Sequence, residues 1–469
     1  LDPKIFREYD IRGTYGKTLS ADIAHTIGRA TAQLFREQGG QTMAIGRDGR
    51  LSSPALAKAL IEGLRDGGVN VLDIGLSSTP MLYYAEASTP EVQGGIEVTG
   101  SHNPADDNGF KIVFGGRALF GAEIRRIGIL ASQMFGQGVP VESKEIGRGF
   151  LQHRQVLGGY VARLLEALGA ALGRHGEKAA SLRIGWDTGN GAGGPVLEAL
   201  IPLLPGEHHL LFAEVNGHFP HHHPDPTDEA NLADLRSLVA SRRLDFGLAF
   251  DGDADRLVVI DGQGRSLLGD QLLALLAEDL LQTHPQALIL ADVKSSQMLF
   301  DHVAQCGGHS AIVPAGHSLV KSKMKQTGAL LAGETTGHIF YADQYYGFDD
   351  AFYAALRLIA ALLCRDESLA QWRDRLPLWV NTPELRFPVD PARKTAIIAE
   401  IAQRLAAQGA TVDHTDGLRV SRPQGWWLLR ASNTQDMLTA RAESRTPSGL
   451  ATLLAEIDSQ LAQSGITRA

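Results

Sequence analysis

The sequence predicts an α/β protein with three related mixed α/β domains and a smaller C-terminal α+β domain. Three observations predict it. A β-rich run, a Gly/Ser loop, a helical stretch and a second β-rich run recur three times along the chain. The pattern changes after residue 378, where Pro383 and Pro388 mark a break. At 469 residues, the chain is also far longer than one hydrophobic core serves; at roughly 150 residues per domain it divides into three or four.

The first copy runs from a strand over 42–46, through a helix over 54–66, to a strand over 69–74. The second has a strand over 182–186, a helix over 195–204 and a strand over 209–215. The third has a strand over 287–292, a helix over 296–305 and a strand over 310–313. Alternating strand and helix marks layers with largely parallel strands. Units this far apart are separate domains; solenoid repeats are much shorter. The last region reads as a helix over 392–408, strands over 418–420, 426–430 and 437–442, and a helix over 450–463. Cuts at 148, 265 and 378 give domains 1–148, 149–265, 266–378 and 379–469.

Bulk properties exclude several classes. Only Cys306 and Cys364 are present, which argues against a disulfide framework and fits a reducing compartment. A net charge of −9 points away from a nucleic-acid partner. No apolar run nears the roughly 20 residues of a membrane helix, and residues 1–12 hold no apolar signal core. A cytoplasmic protein with neither nucleic-acid nor membrane partners is expected.

Four loops carry chemistry. The run Asp251-Gly252-Asp253-Ala254-Asp255-Arg256 lies between apolar runs 246–250 and 257–260, at a strand end. Three carboxylates at alternate positions repel one another, and hard oxygen ligands suit Mg²⁺ or Ca²⁺. An EF-hand needs Gly at loop position six and Glu at twelve, where Arg256 and Gly262 stand, so that motif is excluded. The second loop is Thr99-Gly100-Ser101-His102-Asn103-Pro104, followed by Asn108-Gly109-Phe110-Lys111. A Ser after Gly at a strand end is held exposed, and His102 and Lys111 lower the cost of negative charge beside it. Taken alone, the segment reads equally well as an ordinary turn.

The third loop, Gly333-Glu334-Thr335-Thr336-Gly337-His338, offers a carboxylate and hydroxyls that match a sugar, or else a helix-capping loop. The fourth, Arg430-Ala431-Ser432-Asn433-Thr434-Gln435, reads as a phosphate cradle or a plain hairpin connection. Tyr9-Asp10-Ile11-Arg12-Gly13 places another Arg in a turn, and His317 sits just past a strand, where an acid or base can stand. Gly189-Asn190-Gly191-Ala192-Gly193-Gly194 satisfies a dinucleotide fingerprint. It opens the middle of three similar units, so a tight strand-to-helix turn is the better reading. His221, His222 and His223 between two prolines are read as an interdomain loop, not a metal site.

Together these loops resemble the α-D-phosphohexomutase family, most closely its bacterial phosphomannomutase/phosphoglucomutase branch. The resemblance spans the chain in order, from Phe6-Arg7-Glu8-Tyr9-Asp10-Ile11-Arg12-Gly13 to residues 430–435. Two positions depart from the family pattern. Ala254 stands where Gly is usual, which asks for a negative φ there, and Thr336 stands where Ser is usual.

The resemblance implies four domains around a central cleft and reversible isomerisation of hexose 1- and 6-phosphates, of mannose and glucose alike. It implies a phosphoryl group carried on Ser101, a hexose 1,6-bisphosphate intermediate, Mg²⁺ as cofactor and glucose 1,6-bisphosphate as activator. The implied metal ligands are Asp251, Asp253, Asp255 and the Ser101 phosphate. Lys111 and Arg256 stabilise the moving charge, and Lys111 and His317 are candidates for proton transfer, with the two roles undivided. The non-reacting phosphate falls to Arg430, Ser432, Asn433 and Thr434, and the sugar hydroxyls to Glu334, Thr336 and His338. Tyr9, Arg12 and Lys294 are further cleft residues. Partners are small hexose phosphates, and a monomer or weak oligomer is expected. The competing readings are a phosphoglucosamine mutase, a phosphoserine-type sugar phosphatase and a non-catalytic sugar-phosphate binding protein.

Overall fold

The computed structural model describes residues 1–136, 147–432 and 436–467. Three of its four sheets share one topology. In each, the first, second and third strands of the unit are parallel and the fourth returns antiparallel, in the spatial order second, first, third, fourth. In the first sheet these strands are Thr42–Arg47, Asn70–Leu76, Gly94–Val98 and Asp107–Phe114. In the second they are Arg183–Asp187, Glu207–Leu211, Phe246–Phe250 and Leu257–Asp261. In the third they are Leu288–Asp292, His309–Val313, Leu331–Gly333 and Ile339–Tyr341. The first and third strands of each unit lie inside the sheet and are largely buried, as a helix-covered sheet requires, whereas the edge strands Glu207–Leu211 and His309–Val313 are polar and partly exposed.

The helices follow from local chemistry. Ser53–Asp66 starts with Pro54 in its first turn, buries Leu56, Leu60 and Leu64 along one face, and stops at Gly67. Gln297–Gln305 is capped by Ser296, whose Oγ accepts from Met298 N at 3.1 Å. The helix expected over 195–204 is shorter. It runs Gly194–Leu200 and passes into a 3₁₀ turn at Ile201–Leu203, because Pro202 has no N–H to continue it. The strand expected over 209–215 ends at Leu211, where Phe212 turns to φ 54° and its carbonyl accepts from Asn190 N and Thr188 Oγ1.

The fourth sheet is wholly antiparallel, with Met437–Ser444 beside Gly425–Ala431 and then Leu418–Arg422. Helices Lys394–Ala407 and Pro447–Gln463 cover it through Ile401, Leu405, Leu453 and Ile457, which pack on Trp427 and Leu429. This core is separate from the others. By contrast, one continuous core joins the second and third sheets and reaches Leu72 of the first sheet and Tyr83 of the helix Thr79–Ser88. Helix Ala351–Leu363, buried along nearly its whole length, lies in it. No helix among the described residues is long and apolar enough to cross a membrane.

Candidate active site

The shared topology sets where the functional loops fall. The connection from third to fourth strand is 99–106 in the first sheet, 251–256 in the second and 334–338 in the third. All three leave the carboxyl end of a parallel strand, where open α/β sheets bind ligands. They converge on one cleft of about 500 Å³, lined among others by Tyr9, Arg12, Ser101, His102, Lys111, Arg256, His317 and His338.

Ser101 is nearly buried and has φ 50°. Its turn is shaped by residues that the sequence reading missed. Arg50, itself buried, donates through Nη2 to the carbonyls of Ser101 and Asn103, both at 2.7 Å. Asp48 accepts from Thr99 Oγ1 at 2.8 Å and from Gly100 N at 3.1 Å. A Cβ on Gly100 would fall 2.2 Å from Arg50 Cζ, so only Gly fits there. The only local signal was Arg47-Asp48-Gly49-Arg50 leaving a strand. So held, Ser101 Oγ lies 3.1 Å from Asp251 Oδ2 and 3.2 Å from His102 Nδ1.

Asp251, Asp253 and Asp255 are fully buried, and one oxygen from each lies within 4.8 Å of the others. Lys111 Nζ donates to Asp253 Oδ2 at 2.7 Å and also to Asp255 Oδ2. Thr79, another residue missed in the sequence, bonds Asp253 through both its hydroxyl and its N–H. These contacts leave Oδ1 of Asp253 and Oδ1 of Asp255 buried without a hydrogen-bond partner. One ammonium faces three carboxylates. Burial, then Asp253 and Asp255, push the Asp251 carboxyl well above the usual range. Orphaned hard oxygens and a carboxyl that resists ionisation both fit a bound metal cation.

The backbone here corrects one expectation. Ala254 has φ +57°, not a negative φ. The turn demands it: Ala254 N bonds Asp251 O at 3.0 Å, while Asp255 N and Arg256 N donate to Asp251 Oδ1 at 3.1 and 3.2 Å. Holding all three carboxylates inward outweighs the strain of a left-handed Ala, about 1–2 kcal/mol. The glycine run at 189–194 serves this loop too. Ala192 N donates to Gly252 O at 2.9 Å, and a Cβ on Gly191 would meet that oxygen at 2.6 Å. The run packs the metal loop. His222 pairs with Asp187 and His221 with Asn190, so those histidines do not converge.

On the opposite wall, Glu334 accepts from Gly316 N through Oε1 at 2.6 Å, and burial raises its pKa. His338 Nε2 accepts from Arg256 Nε at 3.0 Å. His317 stacks on His338 with centroids 5.5 Å apart. Burial, then Lys321, hold His317 well below the ordinary range, so it is neutral. Arg256, then burial and Arg12, do the same to His102. His102 therefore brings no positive charge to Ser101; Lys111, raised by its carboxylate partners against burial, does.

Of the remaining candidates, Tyr9 and Arg12 line the cleft and the others among the described residues lie outside it. Arg12 donates to Thr99 O and pairs with Asp10, and Tyr9 Oη donates to Ala315 O at 2.9 Å. Lys294 and Thr336 line a second cavity of about 320 Å³, with Thr382 and with Arg441 of the last sheet. Arg430 lines neither cavity. It pairs at 2.8 Å with Asp416, whose Oδ2 also accepts from Ala315 N at 3.1 Å. Ser432 O accepts from Lys394 Nζ at 3.0 Å. Asn433 and Thr434 lie outside the described residues.

Comparisons with known proteins agree with this geometry. Profiles described as phosphoglucomutase/phosphomannomutase alpha/beta/alpha domains I, II and III match residues 3–128, 159–264 and 268–378, and that of the C-terminal domain matches 384–460. A phosphomannomutase/phosphoglucomutase of Pseudomonas putida is 42% identical over 95% of this chain and 92% of its own. A phosphoglucomutase of Neisseria gonorrhoeae is 40% identical over 95% and 94%. The crystal structure of a phosphoglucomutase/phosphomannomutase family protein from Burkholderia thailandensis superposes with a TM-score of 0.89 at 37% identity, covering 99% of this chain and 98% of that one. A buried acidic loop facing a serine across one cleft, four domain profiles matched in order, and relatives of this identity over nearly the full length give one conclusion: the chain belongs to the phosphoglucomutase/phosphomannomutase family.

Proposed function

We propose that the protein interconverts hexose 1-phosphates and hexose 6-phosphates through a phosphorylated Ser101 and a hexose 1,6-bisphosphate. The observation that carries this is Ser101 Oγ 3.1 Å from Asp251, with Lys111, Arg256 and His317 on the same cleft. Relatives named phosphomannomutase/phosphoglucomutase supply the substrate class. The four units, cut at 148, 265 and 378, each contribute one loop.

In the forward step the free sugar hydroxyl attacks the phosphorus on Ser101. A new P–O bond forms, the P–Oγ bond breaks, and the hydroxyl proton passes to a base. His317 fits that role. Its Nδ1 is buried and the residue lines the cleft, so Nε2 is the nitrogen that would accept the proton. Lys111 is already engaged by Asp253 and Asp255, and acts as a fixed charge toward the phosphoryl oxygens. After the bisphosphate turns around, Ser101 Oγ attacks the other phosphate and the sugar oxygen recovers a proton. Asp251, Asp253 and Asp255 would hold Mg²⁺, which when bound offsets charge on the phosphoryl group. Arg430, Ser432, Asn433 and Thr434 hold the distal phosphate, and Glu334, Thr336 and His338 the hydroxyls at carbons 3 and 4. Tyr9 and Arg12 complete the cleft wall, and Lys294 serves the substrate from the neighbouring cavity. Glucose 1,6-bisphosphate serves as activator by charging Ser101.

Carbons 3 and 4 keep their places when the bisphosphate reverses, whereas carbon 2 changes sides. A site anchored on the first pair accepts both mannose and glucose phosphates. The test is a coupled isomerase assay with both 1-phosphates and Mg²⁺, alongside intact mass. Ser101→Ala should lose the phosphorylated species and isomerisation together, and full activity in that variant defeats the mechanism. A kcat/KM ratio between the sugars beyond roughly 10³ shows that carbon 2 is read. Release of inorganic phosphate in proportion to turnover favours a phosphatase instead.

A further inference from the structure

We propose that Asp349 is the positioning residue of this site: its carboxylate holds the Nδ1 edges of both His317 and His338 and fixes the tautomer of each ring. Asp349 is fully buried, next to the cap of helix Ala351–Leu363, and is part of no sequence motif. Its Oδ1 accepts from Lys321 Nζ at 2.7 Å. That ammonium is itself buried, 4.1 Å above the Tyr83 ring, so the carboxylate cannot swing away. Its Oδ2 lies 3.1 Å from His338 Nδ1 and 3.5 Å from His317 Nδ1.

The tautomers follow from donor inventory. Arg256 can only donate, so His338 Nε2, which receives it, carries no proton. The proton of the neutral ring is then on Nδ1, with Asp349 Oδ2 nearest and Asp255 Oδ1 next at 3.7 Å. For His317, Nδ1 is sealed from solvent and Asp349 is the acceptor beside it. Neither contact is an aligned hydrogen bond: both Nδ1 atoms and Oδ2 are otherwise unpartnered and buried, which leaves Oδ2 as the acceptor for the two rings. A proton on His317 Nδ1 leaves a lone pair on Nε2 toward the cleft, which a base needs. The line Arg256–His338–Asp349–His317 thus ties the metal loop to the proton acceptor. Asp349 acts through the histidines and touches no substrate.

This rests on the mutase reading, and its test separates the two. In full-length enzyme labelled with ¹⁵N-histidine, signals are assigned by their loss in His317→Gln and His338→Gln. The wild type should show both rings as Nδ1–H tautomers, a readout that needs no turnover. Asp349→Asn should disturb both signals and lower kcat by about 10–100-fold, with KM within about threefold. Should that variant fail to fold with Lys321 unpaired, Asp349→Asn with Lys321→Met removes both charges and is expected to show the same loss. An Nε2–H tautomer at His317 in the wild type, or a folded variant with wild-type kcat and unchanged nitrogen signals, overturns the proposal. Absence of isomerase activity in the wild type defeats the mutase reading and leaves the tautomer result standing by itself.

Discussion

Residues 251–255 and 334–338 leave equivalent strands of two sheets, and their backbones follow the same path. Asp251 O accepts from Ala254 N at 3.0 Å, and Glu334 O accepts from Gly337 N at 3.0 Å. The fourth residue of each turn is left-handed, at φ 57° for Ala254 and 94° for Gly337. What differs is the side chains. Alternate positions hold Asp251, Asp253 and Asp255 in one loop and Glu334, Thr336 and His338 in the other. The first set leaves two buried oxygens orphaned and suits a cation; the second offers a carboxylate, a hydroxyl and an imidazole, and suits sugar hydroxyls. Topology fixes where the chemistry stands, and three side chains choose which chemistry it is.

The largest effect should come from the ligand set. Asp253→Asn keeps the turn but removes one charge from the trio, and should lower kcat by about 10²–10³-fold at fixed Mg²⁺. Thr336→Val, at the matching position, should cost much less and mainly raise KM. Steady-state rates titrated with Mg²⁺ check both. Unchanged turnover and Mg²⁺ affinity in Asp253→Asn would remove the metal loop from the mechanism.

A second substitution probes the backbone. A Cβ on Gly337 would meet Leu257 O at 2.6 Å, while Leu257 N donates to Gly337 O at 3.0 Å. The residue that follows the acidic loop thus clasps the turn of the other. Gly337→Ala adds overpacking to left-handed strain, together about 2–5 kcal/mol. Calorimetry should show a clear fall in melting temperature, and a wild-type melting curve would show that the two loops move freely past each other.

The C-terminal hairpin contrasts with both. It has its own core and meets the third unit at Ala315 through Asp416, which pairs with Arg430. Arg430→Ala should remove charge-assisted bonds to phosphate, about 1.5–3 kcal/mol, and raise KM roughly 10–100-fold with a smaller change in kcat. Loss confined to kcat would place Arg430 at the reacting phosphate instead.

Much of this was legible in the sequence, for a definite reason. The strands and helices of the three units repeat with clear periods, and each active loop gathers its polar groups within a few consecutive residues. Groups that act across long separations were not legible. Arg50 reaches Ser101 across 51 positions and Thr79 reaches Asp253 across 174, and no local pattern marks either. Asp349 was hidden likewise, beside a second acid, Asp350, that caps a helix and accepts from the Tyr160 and Tyr345 hydroxyls. Helix Ala351–Leu363 went unread because it is apolar nearly all round and has no face to reveal a period. The φ of Ala254 is set by the hydrogen bonds that close the turn, which residue type alone does not reveal.

Ala254 supplies the smallest and sharpest test of the equivalence. If the two turns share one backbone, Gly serves at 254 as it does at 337. Ala254→Gly relieves left-handed strain of about 1–2 kcal/mol. Against that, the Ala254 methyl is fully buried in the joint core, beside Gly193. Removing it loses about 0.8 kcal/mol of burial and adds unfolded-chain entropy of about 0.4–1 kcal/mol. The opposing effects nearly cancel. The variant should therefore melt within a few degrees of wild type and keep kcat/KM within about twofold, at unchanged Mg²⁺ dependence. The reverse change, Gly337→Ala, is costly because Leu257 O stands where the methyl would go. A tenfold loss of activity in Ala254→Gly would mean that the methyl, and not the turn's hydrogen bonds, holds the three carboxylates together.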